Sequence, residues 1–412
     1  MRKLLAVFAA AAAATVAGAA LAGNTGQDFS QIERGRYLAA AGDCAGCHTK
    51  PGGKDFAGGL PVETPFGLVI SPNITPDNET GIGLWTDDDF VRAMTQGIRR
   101  DGAHLFPAMP YVYYTKVSRD DVLAIRAYLA TVPAVANGVK ADQLPFPLSV
   151  RTDMAAWNKL YFTPGAFKPD PNKNAEWNRG AYLVEGLMHC GACHTPKNIA
   201  GGDENSERLQ GYALQGWFAP DLTTDQRRGI GSWSADDLVA YLKTGHNRFT
   251  AATGPMADVV THSSSKMTDA DLHAVAAYLK DQPAPNEKSP QPVATTDPAM
   301  KAGAAIYADE CSACHAPAGK GIAKLFPALA GSASVQSTDP TSLIRVVLAG
   351  TQSVATSGAP TAPSMPAFGQ TLDNREAAAV LTYIRNAWGN AATAVSADDV
   401  GKHRDSLAKG GE

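Results

Sequence analysis

The chain has 412 residues, 44% of them hydrophobic and 18% charged, with 36 Lys and Arg against 40 Asp and Glu for a net charge of −4. That length suits roughly two to four domains with ordinary packed cores, which excludes a single small fold and wholesale disorder. No basic stripe runs along the chain, so nucleic acid is a poor partner.

At the N-terminus, Arg2 and Lys3 precede an apolar run from Leu4 to Ala22, 11 of whose residues are alanine, ending in Ala20-Leu21-Ala22. Residues 1–22 read as a secretory signal peptide, and the small-residue site at their end speaks against an uncleaved anchor. No later run is long enough to span a membrane.

Residues 23–132 form the first expected domain. A helix around Gly35 to Tyr37 leads into Cys44-Ala45-Gly46-Cys47-His48. Asn73-Ile74-Thr75 and Gly81-Ile82-Gly83-Leu84-Trp85 follow, and Thr86 to Asp89 is a capping-box pattern that starts a helix ending near Gly97. Met109, in Phe106-Pro107-Ala108-Met109-Pro110, comes 61 residues after His48. A helix from Ser118 to Leu129, with Val122, Ile125 and Leu129 on one face, closes the unit. The proline-rich segment 133–174 reads as a linker. Within it Val150, Met154, Trp157 and Tyr161 share a helical face, expected to cover a domain junction, with a partner or membrane-surface contact as the alternative.

Residues 175–282 repeat this plan. A helix at Gly180 to Leu183 leads into Cys190-Gly191-Ala192-Cys193-His194, and Asp221-Leu222-Thr223 precedes Gly229-Ile230-Gly231-Ser232-Trp233. The offsets from Asn73 to Trp85 and from Asp221 to Trp233 are both 12 residues, and Ser234 to Asp237 repeats the capping box ahead of Gly245. Met256 follows His194 by 62 residues, and a helix from Thr268 to Leu279 ends the unit. Such agreement marks an internal duplication. After a second linker, 283–298, residues 299–390 form a shorter third unit. It has a helix at Gly303 to Tyr307, then Cys311-Ser312-Ala313-Cys314-His315, Met365 50 residues after His315, and a helix from Asp373 to Trp388. Residues 391–412 read as a polar tail. With no β-rich region, the expected class is all-α, three consecutive domains of one design.

The motif chemistry is specific. Two thiols three positions apart can form thioethers to the two vinyl groups of one haem, and the next residue offers its imidazole to the iron. Thioredoxin-like pairs and zinc half-sites are rivals for one copy; three copies, with no βαβ context, leave them little room. Three covalently bound haem c groups are expected, held by Cys44, Cys47, Cys190, Cys193, Cys311 and Cys314, with His48, His194 and His315 as proximal ligands. Met109, Met256 and Met365, each beside a proline, are the expected sixth ligands. His104, His246, His262, Met94, Met188 and Met267 compete, and read as solvated or core residues. His189 is too close to the attachment site to ligate. The carbonyls of Pro72, Pro220 and Pro327 are candidates to fix each imidazole tautomer. Trp85 and Trp233 are expected in the cores or on a haem edge.

Cys44-Ala-Gly-Cys-His-Thr with Phe56-Ala-Gly-Gly-Leu, Asn73-Ile-Thr-Pro-Asp, Gly81-Ile-Gly, Pro107-Ala-Met-Pro-Tyr111, Trp177-Asn-Arg-Gly-Ala-Tyr182, Gly254-Pro-Met256 and Met365-Pro-Ala-Phe368 together resemble the triple-haem cytochrome c subunits of bacterial membrane-bound dehydrogenases. These serve quinoprotein alcohol dehydrogenases and flavoprotein gluconate and fructose dehydrogenases; some relatives serve molybdenum hydroxylases. The resemblance implies three cytochrome c domains that carry electrons from a catalytic subunit oxidising an alcohol, sugar, sugar acid or aldehyde to membrane ubiquinone. It also implies peripheral attachment at the periplasmic face of the cytoplasmic membrane. No glycine fingerprint after a strand and no Ser/His/Asp elbow suggests a substrate-oxidising site in this chain. The alternatives are a free-standing periplasmic carrier, or a haem enzyme with one exchangeable sixth ligand.

Overall fold

The computed structural model describes residues 28–286 and 288–409; the expected signal peptide lies outside the described residues. Domain 1 runs through α1 (Phe29–Ala41), α2 (Cys44–His48), the hairpin of β1 (Pro61–Thr64) and β2 (Gly67–Ile70), α3 (Asp87–Gln96), α4 (Tyr111–Tyr114) and α5 (Arg119–Leu129). The linker carries α6 (Met154–Tyr161). Domain 2 repeats the order with α7 (Ala175–Tyr182), extended by a π-helical turn Leu183–Leu187, then α8 (Gly191–His194), β3 (Tyr212–Leu214), β4 (Trp217–Ala219), α9 (Ala235–Thr244), α10 (Pro255–His262) and α11 (Asp269–Leu279). Domain 3 comprises α12 (Pro298–Ile306) with a π-helical turn Tyr307–Cys311, α13 (Ser312–His315), α14 (Thr341–Ala349), β5 (Thr351–Gln352), β6 (Ser364–Met365), α15 (Asn374–Asn386) and α16 (Ala397–Lys409). The class is all-α as expected, with short two-stranded antiparallel hairpins added.

Local signals act where the sequence places them. Thr86 Oγ1 accepts the Asp89 N–H at 3.1 Å while the Asp89 carboxylate accepts the Thr86 N–H at 3.0 Å, and Ser234 and Asp237 make the same box at 3.1 and 2.8 Å. Gly97 and Gly245 end their helices in the left-handed region, at φ 65° and 78°.

In every unit the first helix crosses the helix that follows the methionine, α5, α11 or α15, with backbone against backbone. A Cβ on Gly35 would stand 1.8 Å from Ala124 O, on Gly180 1.9 Å from Ala274 O, and on Gly303 2.2 Å from Ala379 O. Only glycine permits this approach. Beneath the crossings lie buried Val122 and Ile125, Leu272 and Val275, and Val380 and Leu381.

Domains 1 and 2 share one hydrophobic core, whereas domain 3 has its own. The two are joined by an exchange of tyrosines. Tyr37 of α1 donates to Asp271 of α11 at 2.6 Å, and its counterpart Tyr182 of α7 donates to Asp121 of α5 at 2.5 Å. Each carboxylate is also held from its own domain, Asp121 by Arg34 at 2.7 Å and Asp271 by Arg179 at 2.8 Å. Glu185 adds a further tie, accepting from Lys116 of domain 1 and from Tyr278 of domain 2, both at 2.5 Å.

The linker helix α6 covers this junction from outside, as its apolar face suggests: Trp157 Nε1 donates to Ala200 O at 2.8 Å. Domain 3 docks on domain 2, where Phe218 and Ser342 exchange hydrogen bonds, Arg345 lies over the Trp217 ring, and Arg227 donates to Ala391 O. The polar-tail reading of residues 391–412 is corrected. Ala397–Lys409 is a helix packed on α14 and α15, with Val395 and Val400 buried beneath it and Arg404 donating to Leu372 O and Asn374 Oδ1, both at 2.9 Å. A few well-placed apolar residues outweigh the polar composition there.

Gly180→Val is expected to lower stability by about 3 kcal/mol through overpacking at the crossing, measured by denaturant unfolding of the holoprotein; Gly138→Ala, where a Cβ meets nothing within 4 Å, should be near neutral. Burial alone would raise the Glu185 carboxyl, but Arg208, Lys116 and Tyr278 outweigh it and hold it down at about 2. Its folded value is below the ordinary 4.5, so its contribution is present above that pH and lost as pH falls towards about 2. Acid unfolding curves should show this loss in the parent chain and a smaller one in Glu185→Gln.

Candidate haem sites

Each attachment motif is wound into about one helical turn at the end of its unit's first helical segment, which the glycine crossing holds in place. In α2 this puts Cys44 and Cys47 three positions apart on one face, with His48 directly following. None of the six cysteines forms a disulfide. Burial pushes the thiols of Cys44, Cys47 and Cys190 up to about 12 and that of Cys311 to about 11. Reactive redox cysteines and zinc thiolates require the opposite shift. Among the described residues no group of three or more His, Cys, Asp and Glu side chains could hold a metal ion by itself. Three of the thiols, Cys47, Cys193 and Cys314, are exposed and the other three partly so, and unpaired, accessible thiols suit conversion to neutral thioethers.

Each motif histidine is gripped at two atoms. His48 Nδ1 lies 2.7 Å from Pro72 O, His194 Nδ1 2.7 Å from Pro220 O, and His315 Nδ1 3.0 Å from Pro327 O. A carbonyl can only accept, so Nδ1 carries the proton and Nε2 keeps the lone pair that a metal needs. These are the three prolines singled out by their spacing. Burial holds all three imidazoles below their ordinary value, His194 at about 4, so the neutral ligand form prevails at neutral pH.

The second grip was not legible in the sequence. The backbone carbonyls of His48, His194 and His315 accept the N–H of Gly58, Gly211 and Gly321 at 2.7, 2.9 and 2.9 Å. Each glycine sits at positive φ, and a Cβ on Gly58 would strike Pro72 while one on Gly321 would strike Pro327. The signal was present as a glycine after each motif, but the differing loop lengths hid the repeat.

Met109 and Met256 are partly buried against the shared core, and Met365, in β6, against the core of domain 3. Met94, Met188 and Met267 are core residues, as read. His246 is buried, with Nε2 3.0 Å from Val354 O at the junction of domains 2 and 3, and His104 sits beside Asn158 in the loop before Met109. His189 is committed to packing: its ring lies 5.4 Å from that of Tyr114, and burial lowers its imidazole to about 4. Its counterpart Asp43 also adopts positive φ, and burial, reinforced by Asp258, pushes its carboxyl up to about 7. Trp233 is buried, stacked on Phe249 at 5.5 Å, and Trp85 packs at the edge of the same core.

The first two sites face each other. α10 of domain 2 packs on α2 of domain 1, and α4 of domain 1 packs on the turn before α8. Tyr113 touches Gly191 and donates to Asp203, and Cys47 and Cys193 are close enough for charge on the latter to raise the former's pKa. On its other side, the loop around Met256 meets domain 3 through Ala252, Val260 and Val354.

Comparison with known proteins agrees. The cytochrome c family profile matches residues 32–133, 178–283 and 300–388. The chain is 43% identical to the gluconate 2-dehydrogenase cytochrome c subunit of Pantoea cypripedii, over 95% of this chain and 93% of that one. It is 39% identical to the cytochrome c subunit of the quinone-type alcohol dehydrogenase of Gluconacetobacter polyoxogenes, over 98% and 91%. It is 38% identical to the fructose dehydrogenase cytochrome subunit of Gluconobacter japonicus, over 90% and 82%.

The two candidate ligands nearest the second site separate in one experiment. Met256→Ala should remove about a third of the weak far-red sulfur-to-iron band and lower one midpoint potential by on the order of 0.1 V. His246→Ala should leave that band intact, since its ring is spent on Val354 O.

Proposed function

Because the chain belongs to the cytochrome c family, among the cytochrome c subunits of bacterial membrane-bound dehydrogenases, we propose that its three domains relay electrons from a dehydrogenase catalytic subunit to membrane ubiquinone. The partner's substrate class is an alcohol, sugar, sugar acid or aldehyde. The protein works exported, at the periplasmic face of the membrane. Among the described residues no helix is long and apolar enough to cross a bilayer. The attachment proposed is peripheral.

The observation that carries this reading is the threefold recurrence of Cys-x-x-Cys-His with the histidine's Nδ1 pinned to a proline carbonyl. Each bound haem supplies a one-electron iron couple. Cys44 and Cys47, Cys190 and Cys193, and Cys311 and Cys314 anchor the group. His48, His194 and His315 would hold the metal through Nε2, and Met109, Met256 and Met365 would supply the thioether, a ligand type that raises the potential of such an iron. On this reading the chain would pass electrons and leave substrate oxidation to its partner.

The reading is tested by expressing the chain with a haem-maturation system, solubilising it from membranes, and identifying co-purifying proteins by mass spectrometry alongside the reduced spectrum. The expected result is a stoichiometric large quinoprotein, flavoprotein or molybdenum subunit and three low-spin haems per chain. A soluble, partner-free protein would replace it with an independent carrier, and a high-spin haem that turns over substrate would make the chain an enzyme.

A further inference from the structure

Domains 1 and 2 differ in a buried acid beside the motif histidine. In both, the carbonyl that holds the histidine belongs to a proline just after the hairpin, and the next residue is Asn73 in domain 1 and Asp221 in domain 2. Asn73, 3% exposed, is neutral and fully occupied. Its Oδ1 accepts the Thr75 N–H at 2.9 Å, and its Nδ2 donates to Thr80 Oγ1 at 2.9 Å and to Val135 O at 2.7 Å. Asp221 is as deeply buried, 4% exposed, and its Oδ1 accepts the Thr223 N–H at 2.6 Å. An ionised carboxylate cannot donate, so the two amide bonds of Asn73 have no counterpart, and Oδ2 is buried with no hydrogen-bond partner among the described residues.

Asp221 lines a small cavity of about 10 Å³, room for one water molecule, at the seam between domains 2 and 3. Gln210 and Arg228 of domain 2 and Ser337 and Thr338 of domain 3 line it too. Gln210 precedes Gly211, whose N–H holds the His194 carbonyl at 2.9 Å, and Asp221 follows Pro220, whose carbonyl holds His194 Nδ1 at 2.7 Å. The cavity therefore borders both grips on the second motif histidine, and domain 3 screens it from solvent. Burial pushes the Asp221 carboxyl above its ordinary 3.8 and Asp225 adds to this, while the bonds from Thr223 and the charge of Arg228 oppose it. The Arg228 guanidinium and the Gln210 amide are donors, which favour the ionised acid.

Resting on the reading of Cys190, Cys193 and His194 as a haem site, we infer that Asp221 lowers the potential of that site, as a positioning residue whose charge acts through Pro220 and His194. A fixed negative charge in low-dielectric surroundings stabilises the oxidised, more positive state of an iron held by His194. The same charge strengthens the pull of the Pro220 carbonyl on the Nδ1 proton and makes Nε2 the better donor, which acts in the same direction. Asn73 gives the first site no such charge. The middle domain, in contact with both neighbours, thus holds an arriving electron less tightly and passes it on.

The full-length protein with all three haems is titrated potentiometrically through its visible bands. Asp221→Asn, which keeps the shape and removes the charge, should raise one of the three midpoints, shifting the ferric–ferrous equilibrium of that haem by about tenfold, or about 59 mV for a one-electron couple. Asp221→Ser, a second neutral variant, should move the same midpoint the same way. That component should be the one that Met256→Ala lowers, and Asn73→Asp should lower a different one. An unchanged low-spin spectrum with its far-red sulfur band checks that the ligands are in place. Midpoints that stay put or fall in correctly loaded Asp221→Asn and Asp221→Ser proteins, or a rise in a component that Met256→Ala leaves alone, overturn the role of Asp221 while leaving the three haem sites standing. If the unaltered chain binds no haem at Cys190 and Cys193, the haem reading of the second site fails and the role of Asp221 with it.

Discussion

Everything in this molecule hangs on one steric contact made three times: a glycine of the first helix laid against a backbone carbonyl of the helix after the methionine, at Gly35 on Ala124, Gly180 on Ala274 and Gly303 on Ala379. Because the attachment cysteines come within about three turns of that glycine, the crossing determines where the thiols and the following histidine stand. The helix after the methionine is equally placed by it, and with that helix the loop carrying each methionine. A unit of this size has a modest core and no disulfide, so the crossing and the two-point grip on each histidine must supply rigidity that packing alone would not.

The middle domain integrates the chain. Towards domain 1 it shares a core and trades tyrosines across a pseudo-twofold relation, Tyr37 to Asp271 and Tyr182 to Asp121. Towards domain 3 it offers the opposite surface, where His246 meets Val354 and Trp217 meets Arg345. The segment that carries Met256 thus meets both neighbours, α2 of domain 1 through α10 and Val354 of domain 3. Among the described residues the core of domain 3 is separate from the one that domains 1 and 2 share, and domain 2 touches both.

Much of this was legible in the sequence, and the reasons are physical. The Cys-x-x-Cys-His triplets, the capping boxes after Trp85 and Trp233 and the closing helices are local: each needs only residues within a turn or two, and each stands where expected. The proline carbonyls were readable because repetition aligned Pro72 with Pro220. What escaped was non-local or sparse. The tyrosine exchange depends on contacts more than 60 residues apart, visible only once the two units are docked. The short hairpins involve too few residues for alternation to register, and the terminal helix Ala397–Lys409 was hidden by its polar composition although Ser396 and Asp399 form an ordinary cap. Gly58, Gly211 and Gly321 perform one task at unequal distances from their histidines, so spacing concealed them.

The helix crossings carry a last implication, for how such a chain can grow. When the first helix of a unit touches the helix after its methionine, its entry and exit lie side by side, and each unit is a closed module whose ends need no scaffold to bring them together. Modules of this kind can be concatenated: a copied unit joins its neighbour through a connection as short as the one between α11 and α12, without threading through an existing core. The length of the electron path is then set by the number of modules strung together, and each added module brings its own cofactor site already assembled.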